Sequence, residues 1–209
     1  MPSIHAANTL LRVQQLVIAS REKTLVNGVS FALQAGQTLA IVGESGSGKS
    51  LSSLAVMGLL APTLQQSGSI MLGDQSLSEL HGQPDHPLWR QVRGKRIAMI
   101  FQEPMTALNP LHTVEQQVGE SLRLSGLSKA DTRQKVLSLL TQVGITEPER
   151  RLKQYPHELS GGQRQRVMIA IALALDPEIL IADEPTTALD VTLQAQILDL
   201  LDSLKRERQ

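Results

Sequence analysis

Residues 43–50 read GESGSGKS, the spacing G-x-x-x-x-G-K-S that lets a loop close around a phosphate group. Gly43, Gly46 and Gly48 can take up positive φ and let bare backbone wrap the anion. Lys49 supplies a point charge for the β- and γ-phosphates, and the Ser50 hydroxyl suits Mg²⁺. The plainer alternative is a glycine-rich turn that happens to end in Lys-Ser. Residues 179–185, ILIADEP, end an apolar run in two adjacent carboxylates. On a strand, Asp183 and Glu184 would point to opposite faces, so one could serve a Mg²⁺ shell while the other activates water. Standing alone, that pair would be an acidic turn before Pro185; a phosphate loop upstream argues otherwise. Residues 159–170, LSGGQRQRVMIA, put Ser160 in N-cap position before a glycine pair and an apolar helix, a second place fit to hold an anion. Gln102 follows the apolar stretch RIAMIF and could ligate Mg²⁺, orient water, or serve only as a polar loop residue.

These residues need elements to hold them. LLRVQQL (10–16) and VSFAL (29–33) read as strands, QAG (34–36) as a turn, and TLAIV (38–42) as a buried parallel strand leading into the glycine loop. SLSSLAVMGLL (50–60) reads as a helix stopped by Pro62. GSIMLG (68–73) and RIAMI (96–100) read as short strands, with HGQPDHP (81–87) a solvated loop. From Glu103 to about Leu159 the pattern is helical, with Val136, Leu139, Leu140 and Val143 on one face of a helix starting near Lys129. A helix over 162–175, a strand over 178–182 and a helix from about Asp190 to Lys205 follow, the last with Ile197, Leu198, Leu201 and Leu204 on one face. Strand–helix alternation around a helical block predicts an α/β core carrying a helical insertion.

Composition narrows the function classes. Apolar residues make up 41% of the 209 and aromatics 2%, so the core must be aliphatic. Lys+Arg and Asp+Glu are both 20, which lacks the basic footprint of a nucleic-acid binder, and so few aromatics argue against base stacking. With no cysteine, neither a disulfide framework nor a thiolate metal site can form, as suits a reducing compartment. The first twenty residues lack the marks of a signal peptide, and no apolar run reaches the length of a membrane span.

The loop GESGSGKS (Walker A), FQEP (101–104, Q-loop), LSGGQRQRV (signature), ILIADE (Walker B) and TTALD (186–190, D-loop) stand in the order of the ABC-type ATPases, and the chain resembles that family from residue 43 to 190. The resemblance implies an α/β P-loop NTPase with a RecA-like core, an antiparallel β subdomain and an inserted helical subdomain, incomplete at its C-terminus. Residues 1–209 would be one such domain, with 1–102 and 163–209 the nucleotide-binding core and 103–162 the helical subdomain. It also implies that Gly43, Glu44, Ser45, Gly46, Ser47, Gly48, Lys49 and Ser50 bind ATP, that Ser50, Gln102 and Asp183 serve Mg²⁺, and that Glu184 is catalytic. In that family two ATPase domains pair head to tail, so Ser160, Gly161, Gly162 and Gln163 would close over the partner's nucleotide.

FQEPMTALNP (101–110) and YPHELSGGQRQRVMIA (155–170) resemble the ATP-binding subunits of bacterial dipeptide and oligopeptide importers, especially the fused double-ATPase form. That resemblance implies two transmembrane permease subunits, a separate substrate-binding protein and a peripheral place on the cytoplasmic face of the inner membrane, with Met105–Pro110 in the docking groove and Tyr155 and His157 supporting the signature loop. The alternatives are a soluble ABC-type ATPase acting on nucleic acid or ribosomes, a transporter of another small solute such as a metal or sugar, and a regulatory module that binds nucleotide without hydrolysing it. Two departures stand out. The family's adenine-stacking aromatic would fall near Ser20, yet VIASREK (17–23) has none. Losing such a stack predicts weaker base discrimination, on the order of 1–3 kcal/mol. The switch histidine is also missing, since His5, His81, His86, His112 and His157 all precede the Walker B strand. The resemblance thus implies a piece that binds ATP but hydrolyses it poorly, with apolar surface exposed on helix 190–205.

Overall fold

Two apolar phases within one strand shape the N-terminal part. In β1 (Thr9–Ala19), Leu11 and Val13 are buried, then Leu16 and Ile18, so the inward face changes parity midway. A bulge at Gln14–Gln15 makes the change, with Gln15 at φ 49° and its N–H donated to Ser30 Oγ at 2.8 Å. Gly68 lies against this bulge, where a Cβ would come within 2.3 Å of the Gln15 carbonyl oxygen. The computed structural model describes residues 9–102, 107–185 and 191–207. These fall into two compact units, divided between Arg90 and Gln91.

The first unit is built on an antiparallel sheet. β1 lies between β2 (Thr24–Gln34) and β3 (Gln65–Leu72), and β3 pairs with the short β4 (Gln75–Ser76), giving the order β2-β1-β3-β4. The helix after the glycine loop, α1 (Lys49–Val56), ends earlier than the apolar pattern predicts. Its stop is Gly58 at φ 62° rather than Pro62, and Gly58 is held there by the Trp89 ring, which a Cβ would meet at 2.0 Å. TLAIV (38–42) is the larger correction. It forms no strand, and Leu39, Ile41 and Val42 are 43%, 44% and 91% exposed. An apolar run becomes a parallel strand only when a neighbour supplies its ladder, and this run joins neither described sheet.

The second unit holds a parallel pair and the helical block. The single turn α2 (Trp89–Val92) spans the division, and the fully buried β5 (Ile97–Ile100) follows. β5 pairs in parallel with β6 (Ile179–Ala182). Beside their N-terminal ends, Arg96 Nε donates to Glu178 Oε1 at 2.9 Å and Nη2 to Oε2 at 3.0 Å. That hydrogen bond raises the Arg96 pKa above its ordinary value against the opposing effect of burial. Between the strands come α3 (Val114–Leu124), α4 (Lys129–Gln142), the turn α5 (Pro148–Arg151) and α6 (Gly161–Leu173). Thr113 and Ser128 cap α3 and α4. Val136, Leu139, Leu140 and Val143 enter the core of this unit as their spacing predicts.

The last helix, α7 (Val191–Glu207), buries Ile197 and Leu204 in the same core, with Leu201 half-buried against it. Leu198, on the same helix, is 55% exposed, in keeping with the apolar surface that the sequence reading expects this helix to show. No helix among the described residues is long and apolar enough to cross a membrane.

Candidate functional site

The glycine loop is exposed and leads straight into α1. Gly46 (φ 78°) and Gly48 (φ 93°) take the left-handed conformations open to them. A Cβ on Gly46 would meet nothing within 4 Å, whereas one on Gly48 would stand 2.6 Å from Val26 Cγ2 on β2. Gly43 does not use that freedom: its φ is not positive and space is its constraint. A Cβ there would lie 2.6 Å from Ser47 Oγ. Glu44 accepts from the Ser47 N–H at 3.2 Å, and Ser45 lies in the exposed arc between them. Gly48 occupies the N-cap of α1 and no side chain caps that first turn. Helix-end N–H groups left without a side-chain cap suit an anion. Lys49 Nζ donates to the carbonyls of Gly43 at 2.8 Å and Glu44 at 3.0 Å, which holds the ammonium over the loop. Ser50 follows in the first turn of α1.

In the second unit, the acidic pair leaves its strand. β6 ends at Ala182, the Asp183 N–H donates to the Ile100 carbonyl at 3.0 Å, and Glu184 has φ 46°. Strand alternation therefore does not govern the two carboxylates, and a left-handed kink sets their directions instead. A glutamate at positive φ, directly before a proline that favours extended backbone, holds strain on the order of 1–3 kcal/mol. Gln102, at the other strand's end, donates its Nε2 to Glu184 Oε2 at 2.9 Å. The structure thus brings Gln102 and Glu184 together, as the sequence motifs did not require.

Ser160 caps α6 as predicted, its Oγ accepting from the Gln163 N–H at 3.3 Å while Gln163 Oε1 accepts from the Ser160 N–H at 3.0 Å. Ser160 and Gly161 are exposed and Gly162 is buried. A Cβ on Gly161 would meet nothing within 4 Å, so the fold does not demand glycine there. Tyr155 and His157 stack with ring centroids 5.7 Å apart, and Arg164 Nε donates to the Pro156 carbonyl at 2.6 Å, which fastens the approach to the signature. Arg166 reaches the Val143 carbonyl at 2.6 Å and Gln196 Oε1 at 3.2 Å, joining α6 to the end of α4 and to α7.

Three readings from sequence meet the limits of the described residues. TTALD (186–190), Glu103–Thr106 and the first eight residues, His5 included, lie outside them. The described end of residues 105–110 is held by the buried Gln117, which accepts from the Asn109 N–H at 2.8 Å and donates to the His112 carbonyl at 2.9 Å. Where an adenine-stacking aromatic would fall, Ser20 Oγ instead accepts from the N–H groups of Glu22 and Lys23 in the β1–β2 turn.

Sequence reasoning passed over Gln165. Its amide is 1% exposed and donates to the Pro185 carbonyl at 2.7 Å. The signal was available, since Gln165 falls at helical spacing with Gly162, Met168, Ile169 and Ala172, a polar residue on an apolar face.

A glycine loop opening a helix, an acidic kink closing a buried strand and a capped glycine pair opening a second helix are the parts of an ABC-type nucleotide-binding domain. The chain belongs to the ABC transporter family, whose model matches residues 26–187. Among solved structures it resembles the dimeric post-hydrolysis form of the ATP-binding cassette MJ0796 bound to ADP and Pi, with a TM-score of 0.80 and 30% identity over 95% of this chain and 84% of that one. Among curated proteins it is 55% identical to the peptidoglycan transport ATP-binding protein YejF of Agrobacterium fabrum, over 95% of this chain and 37% of that protein. It is 54% identical to the dipeptide transport ATP-binding protein DppD of Bacillus subtilis, over 87% of this chain and 54% of that one. The chain therefore spans between about a third and a little over half the length of these relatives.

Proposed function

We propose that this chain is the ATP-binding, ATP-hydrolysing part of a peptide importer, with residues 1–102 and 163–209 forming the nucleotide core and 103–162 the helical subdomain. The hydrolytic reading rests on Glu184, kinked out of β6 with its carboxylate held by Gln102. The relatives named for peptidoglycan and dipeptide transport support di- and oligopeptides, or peptide-bearing wall fragments, as the cargo class. Transport would need two transmembrane permease subunits, a separate binding protein and a second ABC ATPase domain, either another copy or the second half of a fused chain. The place of action is the cytoplasmic face of the bacterial inner membrane.

The residues fit a magnesium-bound triphosphate. The first turn of α1 has no side-chain cap and Lys49 stands over the loop, so an anion held there would meet backbone N–H groups and an ammonium. Ser50 in the first unit, and Gln102 and Asp183 in the second, are oxygen donors of the hard kind that Mg²⁺ takes. When bound, the metal neutralises charge on the phosphate oxygens. Glu184 takes a proton from the attacking water as the new O–Pγ bond forms and the bond from Pγ to the bridging oxygen breaks, leaving ADP and inorganic phosphate. Ser160, Gly161, Gly162 and Gln163 close over the nucleotide of the second ATPase domain.

Reconstitution tests the reading. The complete protein, with its permease and binding protein in liposomes, is expected to hydrolyse ATP several-fold faster when peptide is supplied. Stimulation by ribosomes or DNA, and none by peptide, would reject import.

A further inference from the structure

We propose that Gln165 is a positioning residue for Glu184, acting through the Pro185 carbonyl from inside the helix that Ser160 opens. The inference rests on the reading of Glu184 as the general base. Burying an amide on an apolar helix face is unfavourable unless it finds a partner, and Gln165 spends its donor on the Pro185 carbonyl at 2.7 Å. Pro185 immediately follows the residue whose backbone is least relaxed, Glu184 at φ 46°. Such a conformation persists only where its surroundings over-determine it. Three hydrogen bonds do so here. The Asp183 N–H is fixed to the Ile100 carbonyl before the kink, Gln102 holds the Glu184 carboxylate, and Gln165 fixes the chain after it.

Among these holds only Gln165 belongs to α6, about a turn and a half from the Ser160 cap. The first turn of α6 would receive the partner's nucleotide, and the same rigid helix grips the loop carrying this chain's own base. Capture of nucleotide at one site thereby bears on Glu184 at the other.

The test uses Gln165→Met, which keeps length and removes the donor, in the complete protein. Its kcat for ATP hydrolysis is expected to fall about tenfold or more, with ATP affinity within about twofold, as misplacement of a catalytic group does. In a Glu184→Gln background the same change should lower the residual rate by less than about twofold, because the base through which it acts is gone. Gln165→His, which restores an N–H donor, should recover at least about threefold over the methionine variant. Should Gln165→Met not fold, Gln165→Leu, which also removes the donor, carries the test: a fall in kcat of about tenfold or more that shrinks below about twofold with Glu184→Gln supports the role, and no fall, or one that persists with Glu184→Gln, overturns it. An unchanged kcat in Gln165→Met, or equal losses in both backgrounds, would likewise overturn it. A slow Glu184→Gln beside an indifferent Gln165→Met rejects the positioning role alone, whereas a Glu184→Gln enzyme at full turnover rejects the base assignment and this inference together.

Discussion

Glu184→Gln in the complete protein is expected to lower the ATP turnover rate by about 10²–10⁴-fold, the range in which a positioned general base contributes. ATP binding should stay within about threefold of the parent, since the amide keeps the shape of the carboxylate and can still pair with Gln102, whose Nε2 donates to Glu184 Oε2 at 2.9 Å. Binding without hydrolysis should trap the ATP-bound closed form, seen as a stable ATP-dependent pair in light scattering, or as a compact state in a fused chain. Single-turnover hydrolysis on the same sample gives the rate. If that rate equals the parent's, Glu184 is not the base and the role of the kink at β6 must be sought elsewhere.

Lys49→Ala should weaken ATP binding by about 2–4 kcal/mol, on the order of thirtyfold to a thousandfold, because several charge-assisted contacts depend on one ammonium. Calorimetric titration measures that loss directly. The loop itself should survive, being exposed, with the bonds from Lys49 to the Gly43 and Glu44 carbonyls lost. The thermal midpoint without nucleotide should therefore change little, while the stabilisation given by ATP at a hundred times the parent's Kd falls from about 3 kcal/mol to about 1 kcal/mol or less. An unaltered affinity would show that the glycine loop does not hold the phosphates.

Much of this was legible in the sequence because the informative signals are local. Clean alternation in VSFAL gives part of β2, and helical spacing gives α4 with its buried Val136, Leu139 and Leu140. Ser160 reads as a cap because the pattern S-x-x-Q closes reciprocally on itself. What escaped depends on partners distant in sequence or on backbone angles. TLAIV has the composition of a central strand, yet composition names no neighbour to pair with it. Gly43 matches its motif for reasons of space rather than φ, a distinction that residue letters do not carry. The kink at Glu184 is counter to what the following proline favours, so local rules pointed to the wrong geometry at the very residue expected to do chemistry. Gln165 was hidden by its motif, where its neighbours Ser160 and Gln163 drew the eye toward the exposed end of the helix.

The central claim is that the start of α6 closes over a nucleotide held by a second ATPase domain. These 209 residues hold no cysteine and the space outside Gly161 is open, so Gly161→Cys, with any cysteine elsewhere in the complete protein replaced, places a reporter thiol at that surface without disturbing the Ser160 cap. In the complete protein carrying Glu184→Gln, the maleimide labelling rate of that thiol is measured with and without ATP. The account predicts labelling slowed at least about tenfold by ATP, by burial in a closed pair, with full reactivity restored once nucleotide is removed. Equal labelling in both conditions, on protein shown to bind ATP, would contradict it.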